Sequence, residues 1–427
     1  MLKKVPVDQL RLGMHLQQMC GAWVDHPFWK TKFVLTDAAD LKKLQQSGVT
    51  ECWIDVSKGL DVATPFSSLP VAAVPASLPA AAKSLNAESA VDRARAAQVA
   101  PKAIVPFDEE VRRAAEVCTR SREAVVSLFN EARMGKAIDT EKCAEMVAEI
   151  SESVWRNPSA LVSLARLKTH DDYTYMHSVA VAALMVALAK QMGQDETQAR
   201  VAAEAGMLHD LGKAMMPIDV LNKPGKLTDA EFGTMRTHPE RGHELLLTGR
   251  GVDAMVLDVC LHHHEKMDGS GYPHRLQGEQ ISLLARMGAV CDVYDAITSN
   301  RPYKKGWDPA ESITRMAAWA KGHFDDNVFR SFVTSLGIYP VGSMVRLRSG
   351  YLAVVTQQNP VKLTAPEVKV FFSTKQGLRM TPRLLDLAHP ACSDRIVGRE
   401  SNDQWQFTHL DELWAGEEAL QKLGRKG

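Results

Sequence analysis

Cysteine is sparse in this chain: seven in 427 residues, scattered as Cys20, Cys52, Cys118, Cys143, Cys260, Cys291 and Cys392, with no Cys-x-x-Cys pair. That argues against a disulfide framework and against a zinc–thiolate site, and it fits a reducing cytoplasm. Charge of one sign is lacking too. Lys plus Arg and Asp plus Glu both total 51, for a formal net charge of +0. A binder of nucleic-acid polymers or of an anionic membrane surface usually carries a basic excess, so neither class is favoured; a local basic pocket for a small phosphate ligand is still allowed. The opening MLKKVPVDQLRLGM has no apolar h-region and does not read as a secretory signal. The longest apolar run, Val179 to Ala189, falls short of the roughly 20 residues of a membrane span and reads as a buried helix. No internal repeat and no GxSxG motif occur.

What is present is ordinary globular composition, 45% hydrophobic and 24% charged, in a length that suits two or three domains. Residues 1–60 read as a small α+β domain. Thr36 can cap a helix over Asp37 to Gln46 ended by Gly48, and ECWIDV (Glu51 to Val56) reads as a strand. His26 stands alone among aromatics there and reads as a packing or surface residue. Residues 61–105 are an Ala/Pro-rich linker. Residues 106–337 carry helical periodicity with few strand-like runs. Thr228 with Glu231 forms a capping box, and Asp308, Pro309 and Glu311 mark another helix start. Residues 338–427 turn β-rich, with strands in VGSMVRLRSGYLAVVTQQNP and PEVKVFFSTKQG and a closing helix near Leu410 to Leu423. The expected fold is therefore mainly α: a helical-bundle domain between a small α+β unit and a small β-rich module.

Against this background HHHEKMDGSGYP, His262 to Pro273, stands out. Clustered histidines hold borderline transition metals, and a Gly-rich turn lets backbone approach a ligand. The run has company in His177, His209-Asp210, His238 and Asp292. Each alone has a bland reading: His177 as a satisfied core histidine, His209-Asp210 as a solvated or hydrogen-bonded dipeptide, His238 as a loop residue, His243 as a surface residue or one that supports a ligand from behind. Asp292 is different, because a carboxylate inside the apolar helix AVCDVYDAITS is expensive to bury unless it is paired or ligates metal. Asp295, three residues on, reads as a local cap or pair. Adjacent His209 and Asp210 diverge by about 100° on a helix, so they can serve one cluster only at a helix end, where Gly212 helps. Lys213 returns to nearly the face of His209 and suits a substrate phosphate.

In order, HSVAVA at His177, LHDLGKAMMP at Leu208, KPGKLTDAEF at Lys223, THPERG at Thr237, HHEKMDGSGYP at His263 and DVYDAITSNRPYKK at Asp292 resemble the HD-GYP family, a branch of the HD-domain metal phosphohydrolases. The resemblance covers about residues 164–336, and the first sixty residues resemble a small domain found before some HD-GYP domains. It implies a bacterial signalling enzyme that hydrolyses cyclic di-GMP to pGpG and, in some members, GMP. It also implies metal ligands at His177, His209, Asp210, His238, His263, His264 and Asp292, with His262 an extra histidine. Lys213 would contact the scissile phosphate, Arg301 and Lys304 would hold phosphates, Tyr272 would shape the nucleotide site, and Asp171 is a further substrate-contact candidate. The metal would be iron or manganese. Trinuclear members carry a glutamate where Tyr173 stands, so two divalent ions are expected and a third is not. The family also implies diguanylate cyclase partners, and a homodimer is open.

Two cations about 4 Å apart suit phosphodiester hydrolysis, because they bind charge gathering on oxygen and lower the pKa of water toward 7. Asp210 is the expected bridge, with Asp210 and Lys213 as the catalytic pair. The alternatives are hydrolysis of another cyclic dinucleotide such as cyclic GMP-AMP, and a cyclic di-GMP receptor or scaffold with little turnover.

Overall fold

A computed structural model describes residues 2–20, 33–45, 51–60, 105–136, 138, 141–168, 173–223, 225–299 and 306–424. His26, Gly48, most of the Ala/Pro-rich stretch, Asp171, Arg301 and Lys304 lie outside the described residues. The chain forms two compact units, Met1–Val99 and Ala100–Gly427.

In the first unit, β1 (Leu2–Pro6), β2 (His15–Cys20), β3 (Phe33–Val34) and β4 (Glu51–Asp55) form one antiparallel sheet in the order β1-β4-β2-β3. Alternation along β4 turns Cys52 and Ile54 inward, where they meet Val5, Leu16 and, from α1 (Ala38–Gln45), Leu44. The expected strand and helix are thus both present.

The second unit is built around α5 (Tyr173–Gln191), after α2 (Phe107–Arg133), α3 (Glu141–Arg156) and α4 (Pro158–Ala165). Every residue of α5 from Met176 to Ala189 is buried, as befits a helix apolar on all sides. It is long and apolar enough to cross a membrane, but 78% of that apolar window is covered by the protein itself. The covering comes from α2, α3 and α4, and from α6 (Glu196–Leu208), α10 (Leu283–Thr298) and α12 (Asp326–Leu336). Gly206 on α6 brings the closest approach: a methyl there would stand 2.9 Å from the Ala182 Cα.

Between these lie α7 (Asp229–Met235), α8 (His238–Leu247), α9 (Ala254–His262) and α11 (Pro309–His323). The Thr228–Glu231 capping box opens α7, and Asp308 accepts the Ala310 and Glu311 amides at the start of α11.

The C-terminal module is a five-stranded antiparallel sheet of order β8-β7-β6-β5-β9, with β5 (Met344–Leu347), β6 (Tyr351–Gln357), β7 (Glu367–Ser373), β8 (Leu378–Asp386) and β9 (Ile396–Arg399). The single closing helix expected near Leu410–Leu423 is instead two short ones, Glu412–Ala415 and Glu417–Lys422, because Gly416 between them sits at φ 76°. The C-terminal module docks on the helices through Trp414 against Phe107 and Lys422 to Glu116 at 2.7 Å, both from the short closing helices, and through Arg399 of β9 to Glu311 at 3.0 Å.

Candidate metal centre

His209 is the C-cap of α6, and Asp210 (φ −102°, ψ 8°) leads into a 3-10 turn, Leu211–Met215. The helix therefore ends where the two side chains must diverge less than a continuing helix would require. Gly212 allows this turn to lie against α8: a methyl there would fall on the His238 carbonyl oxygen and the Gly242 amide. His238 is the first residue of α8, His263 the C-cap of α9, His177 lies on α5 and Asp292 on α10. All six are almost completely buried, the most exposed being Asp292 at 7%.

Asp210 faces two ways. Its Oδ2 is 3.3 Å from His177 Nε2 and 3.4 Å from His209 Nε2. Its Oδ1 is 3.1 Å from His238 Nε2 and 3.7 Å from His263 Nε2. Asp292 Oδ1 lies 3.0 Å from His177 Nε2 and 3.9 Å from His209 Nε2, and its Oδ2 lies 3.8 Å from His264 Nδ1. Two ligand groups result, His177–His209–Asp210 and Asp210–His238–His263–His264. They share only Asp210, so its carboxylate is the hinge of the cluster.

The outward ring nitrogens decide what the inner ones present to the cluster. His209 Nδ1 is 2.7 Å from the Gly206 carbonyl, His238 Nδ1 2.8 Å from that of Met235, and His263 Nδ1 3.0 Å from that of Cys260. A carbonyl can only accept, so each Nδ1 carries the proton and each neutral ring turns the lone pair of Nε2 inward. His238 and His263 then point lone pairs at each other across 3.4 Å. Asp210 Oδ1 and His209 Nε2 are buried without a hydrogen bond among the described residues. Converging lone pairs and carboxylates with nothing between them are costly in a dry interior unless a cation fills the space. The residues fit divalent metal, and nitrogen with carboxylate suits iron, manganese or zinc.

Electrostatics agree. Burial foremost holds His263 well below its usual pKa and takes His264 down to about 3, so both stay in the neutral, ligating form. Burial alone would lower His177, but hydrogen bonds with Asp210, Asp292 and Asp295 overcome it and carry it up to about 10. Three carboxylates around one imidazole call for positive charge. Burial also opposes ionisation of Asp210 and Asp292. The Lys213 ammonium nonetheless holds Asp210 well below the usual carboxylate range, and the hydrogen bond with His177 does the same for Asp292.

Lys213 reaches Asp210 Oδ2 directly, so its ammonium already serves the cluster. Tyr173 lies parallel to the His177 ring, with centroids 6.0 Å apart. His262 contacts Asp258 at 2.8 Å and His274 at 3.0 Å, apart from both ligand groups. His243 is half-buried.

Three contributors escape a reading by motif. Asp295 is not a local cap. Its carboxylate accepts from His177 Nδ1 at 2.6 Å and pairs with the buried ammonium of Lys168, which also donates to Ser299 Oγ at 2.8 Å. The signal available was its spacing: three residues after Asp292, on the same helical face. Nothing local marks Lys168. Glu265, 2% exposed, accepts the amides of His274 at 2.7 Å and Leu276 at 3.1 Å and so ties down the Gly-Tyr-Pro loop. Gly271 packs on that glutamate's backbone, where a methyl would stand 2.5 Å from the Glu265 Cα.

Residues 2–143 match a domain of unknown function (DUF3391), and residues 145–328 match the HD domain. The cyclic di-GMP phosphodiesterase PA4108 of Pseudomonas aeruginosa is 54% identical over 417 residues, covering 97% of this chain and 96% of its own length. The cyclic di-GMP phosphodiesterase response regulator RpfG of Xanthomonas campestris pv. campestris is 39% identical over 183 residues, 42% of this chain and 48% of RpfG. The 3'3'-cGAMP-specific phosphodiesterase 2 of Vibrio cholerae is 38% identical over 153 residues, 36% of this chain and 29% of that protein. The first alignment runs nearly end to end; the other two stay within less than half of the chain.

Proposed function

This chain belongs to the HD-GYP family of HD-domain cyclic di-GMP phosphodiesterases, and from that premise we propose that it hydrolyses cyclic di-GMP to linear pGpG, lowering this second messenger in bacterial signalling. The observation that carries the reading is the two-sided Asp210, with one histidine group at each of its oxygens. We assign His177, His209, Asp210 and Asp292 to one divalent ion and Asp210, His238, His263 and His264 to a second, iron or manganese in each case. Tyr173 offers a phenol rather than a bridging carboxylate, which supports two ions over three.

When bound, such a pair supplies Lewis acidity and activates water at neutral pH. The protein's own groups do the rest. Asp210 fixes the spacing of the two halves. Asp295 orients His177, and the carbonyls of Gly206, Met235 and Cys260 orient the other rings. Lys213, bound to Asp210 yet 22% exposed at its side chain, is placed to exchange part of that contact for a phosphate oxygen. Asp171, Arg301 and Lys304 are kept as substrate contacts, and diguanylate cyclases or a second copy of the chain as partners. A cytoplasmic location suits a chain with few, scattered cysteines and no Cys-x-x-Cys pair.

Asp210→Ala should lose turnover by at least about a thousandfold and lower metal content, with the far-ultraviolet circular dichroism of the helices kept. Unchanged metal content in that variant contradicts the assignment. The cGAMP-specific relative supports a second reading, in which cyclic GMP-AMP is the substrate. Competition between the two dinucleotides, followed by product chromatography, separates them.

A further inference from the structure

Arg236 follows α7 and stands two residues before His238. Its guanidinium lies 4.5 Å over the ring of Tyr272. The same ring stacks on His264, with centroids 4.7 Å apart and planes 26° from parallel. Three flat groups thus lead in series from Arg236 to the candidate metal centre. Tyr272 thus also has a part in positioning Arg236.

Among the described residues the Arg236 guanidinium makes no hydrogen bond and no ion pair. It is only half-buried. Stacking fixes the plane of an arginine and leaves its N–H fork aimed outward in that plane, the geometry that grips two phosphate oxygens at once. A cyclic dinucleotide carries two phosphodiesters, each with one negative charge. When one lies at the metal centre, the other must find its cation elsewhere, across the ring of the substrate.

We propose that Arg236 is a substrate-binding residue that holds the phosphate of cyclic di-GMP that is not being cleaved. The inference rests on the function proposed above. It goes beyond the resemblance, whose matching segment begins one residue later at Thr237.

The test compares Arg236→Met and Arg236→Lys with the parent protein, all metal-loaded and with metal content measured. The readouts are KM and kcat for cyclic di-GMP, and inhibition by GpG, which has both guanines but a single phosphodiester. Arg236→Met should raise KM about tenfold, the loss of one charge-assisted contact, with kcat within about twofold and GpG inhibition unchanged. Arg236→Lys should fall between, keeping the charge without the fork. An unchanged KM overturns the proposal. So does a parallel loss of GpG inhibition, which would mark a guanine contact, or a loss of metal, which would mark a structural role. A parent protein that neither binds nor hydrolyses cyclic di-GMP removes the function and the inference together; a parent that turns it over while Arg236→Met matches it removes the inference alone.

Discussion

Asp295 has three partners in His177, Lys168 and Ser299, and none of them is close to it in sequence except Ser299. Replacing it with asparagine keeps the shape but removes the charge both His177 and Lys168 depend on. Metal affinity should fall about 10- to 100-fold. Stability should fall by about 3–5 kcal/mol, because a buried ammonium loses the carboxylate it pairs with. Adding Lys168→Met should recover most of the stability and none of the metal affinity, read by thermal melts and metal titration. Recovery of both would make Asp295 a structural residue only. The ligand histidines were legible because their motifs carry fixed local spacing. Lys168 and Arg236 were not, because what makes each matter is a partner brought near by folding: Asp295 for the first and the Tyr272 ring for the second. Tyr272 was legible as a site residue, but its contact with Arg236 was not, since only the fold brings the two together.

The elements show where local chemistry determines structure and where it does not. The caps at Thr228 and Asp308 were readable because side chain and amide are neighbours in sequence. Strand β8 was not, because its residues are mostly exposed on both faces and leave no alternation to detect. The closing helix failed for a single residue, Gly416, whose left-handed backbone separates two short turns. The 3-10 turn after Asp210 is the element on which the centre depends. Gly212→Ala would push it from α8, separating Asp210 from His238. We expect a loss of about 3 kcal/mol and, more tellingly, reduced metal content even in molecules that stay folded. A variant that is stable and fully metallated would contradict this account of the turn.

At the scale of the molecule, the histidines and aspartates of the cluster come from α5, from the end of α6, from the start of α8, from the end of α9 and from the middle of α10. No one of these helices could build the centre alone. It exists because α5, apolar on every side, is buried and draws the others around it. That much of the bundle was readable from periodicity and the apolar run. The docking of the C-terminal module on α2 and α11 was not, since Trp414, Arg399 and Lys422 meet partners distant in sequence. The central claim is a two-ion centre, split across Asp210, that cleaves cyclic di-GMP. It is tested most directly by adding iron or manganese stepwise, without oxygen, to metal-free protein and separating the products by chromatography. The account predicts that pGpG formation rises and levels off at about two ions per chain. Full loading with no pGpG, or a plateau at a single ion, would contradict it.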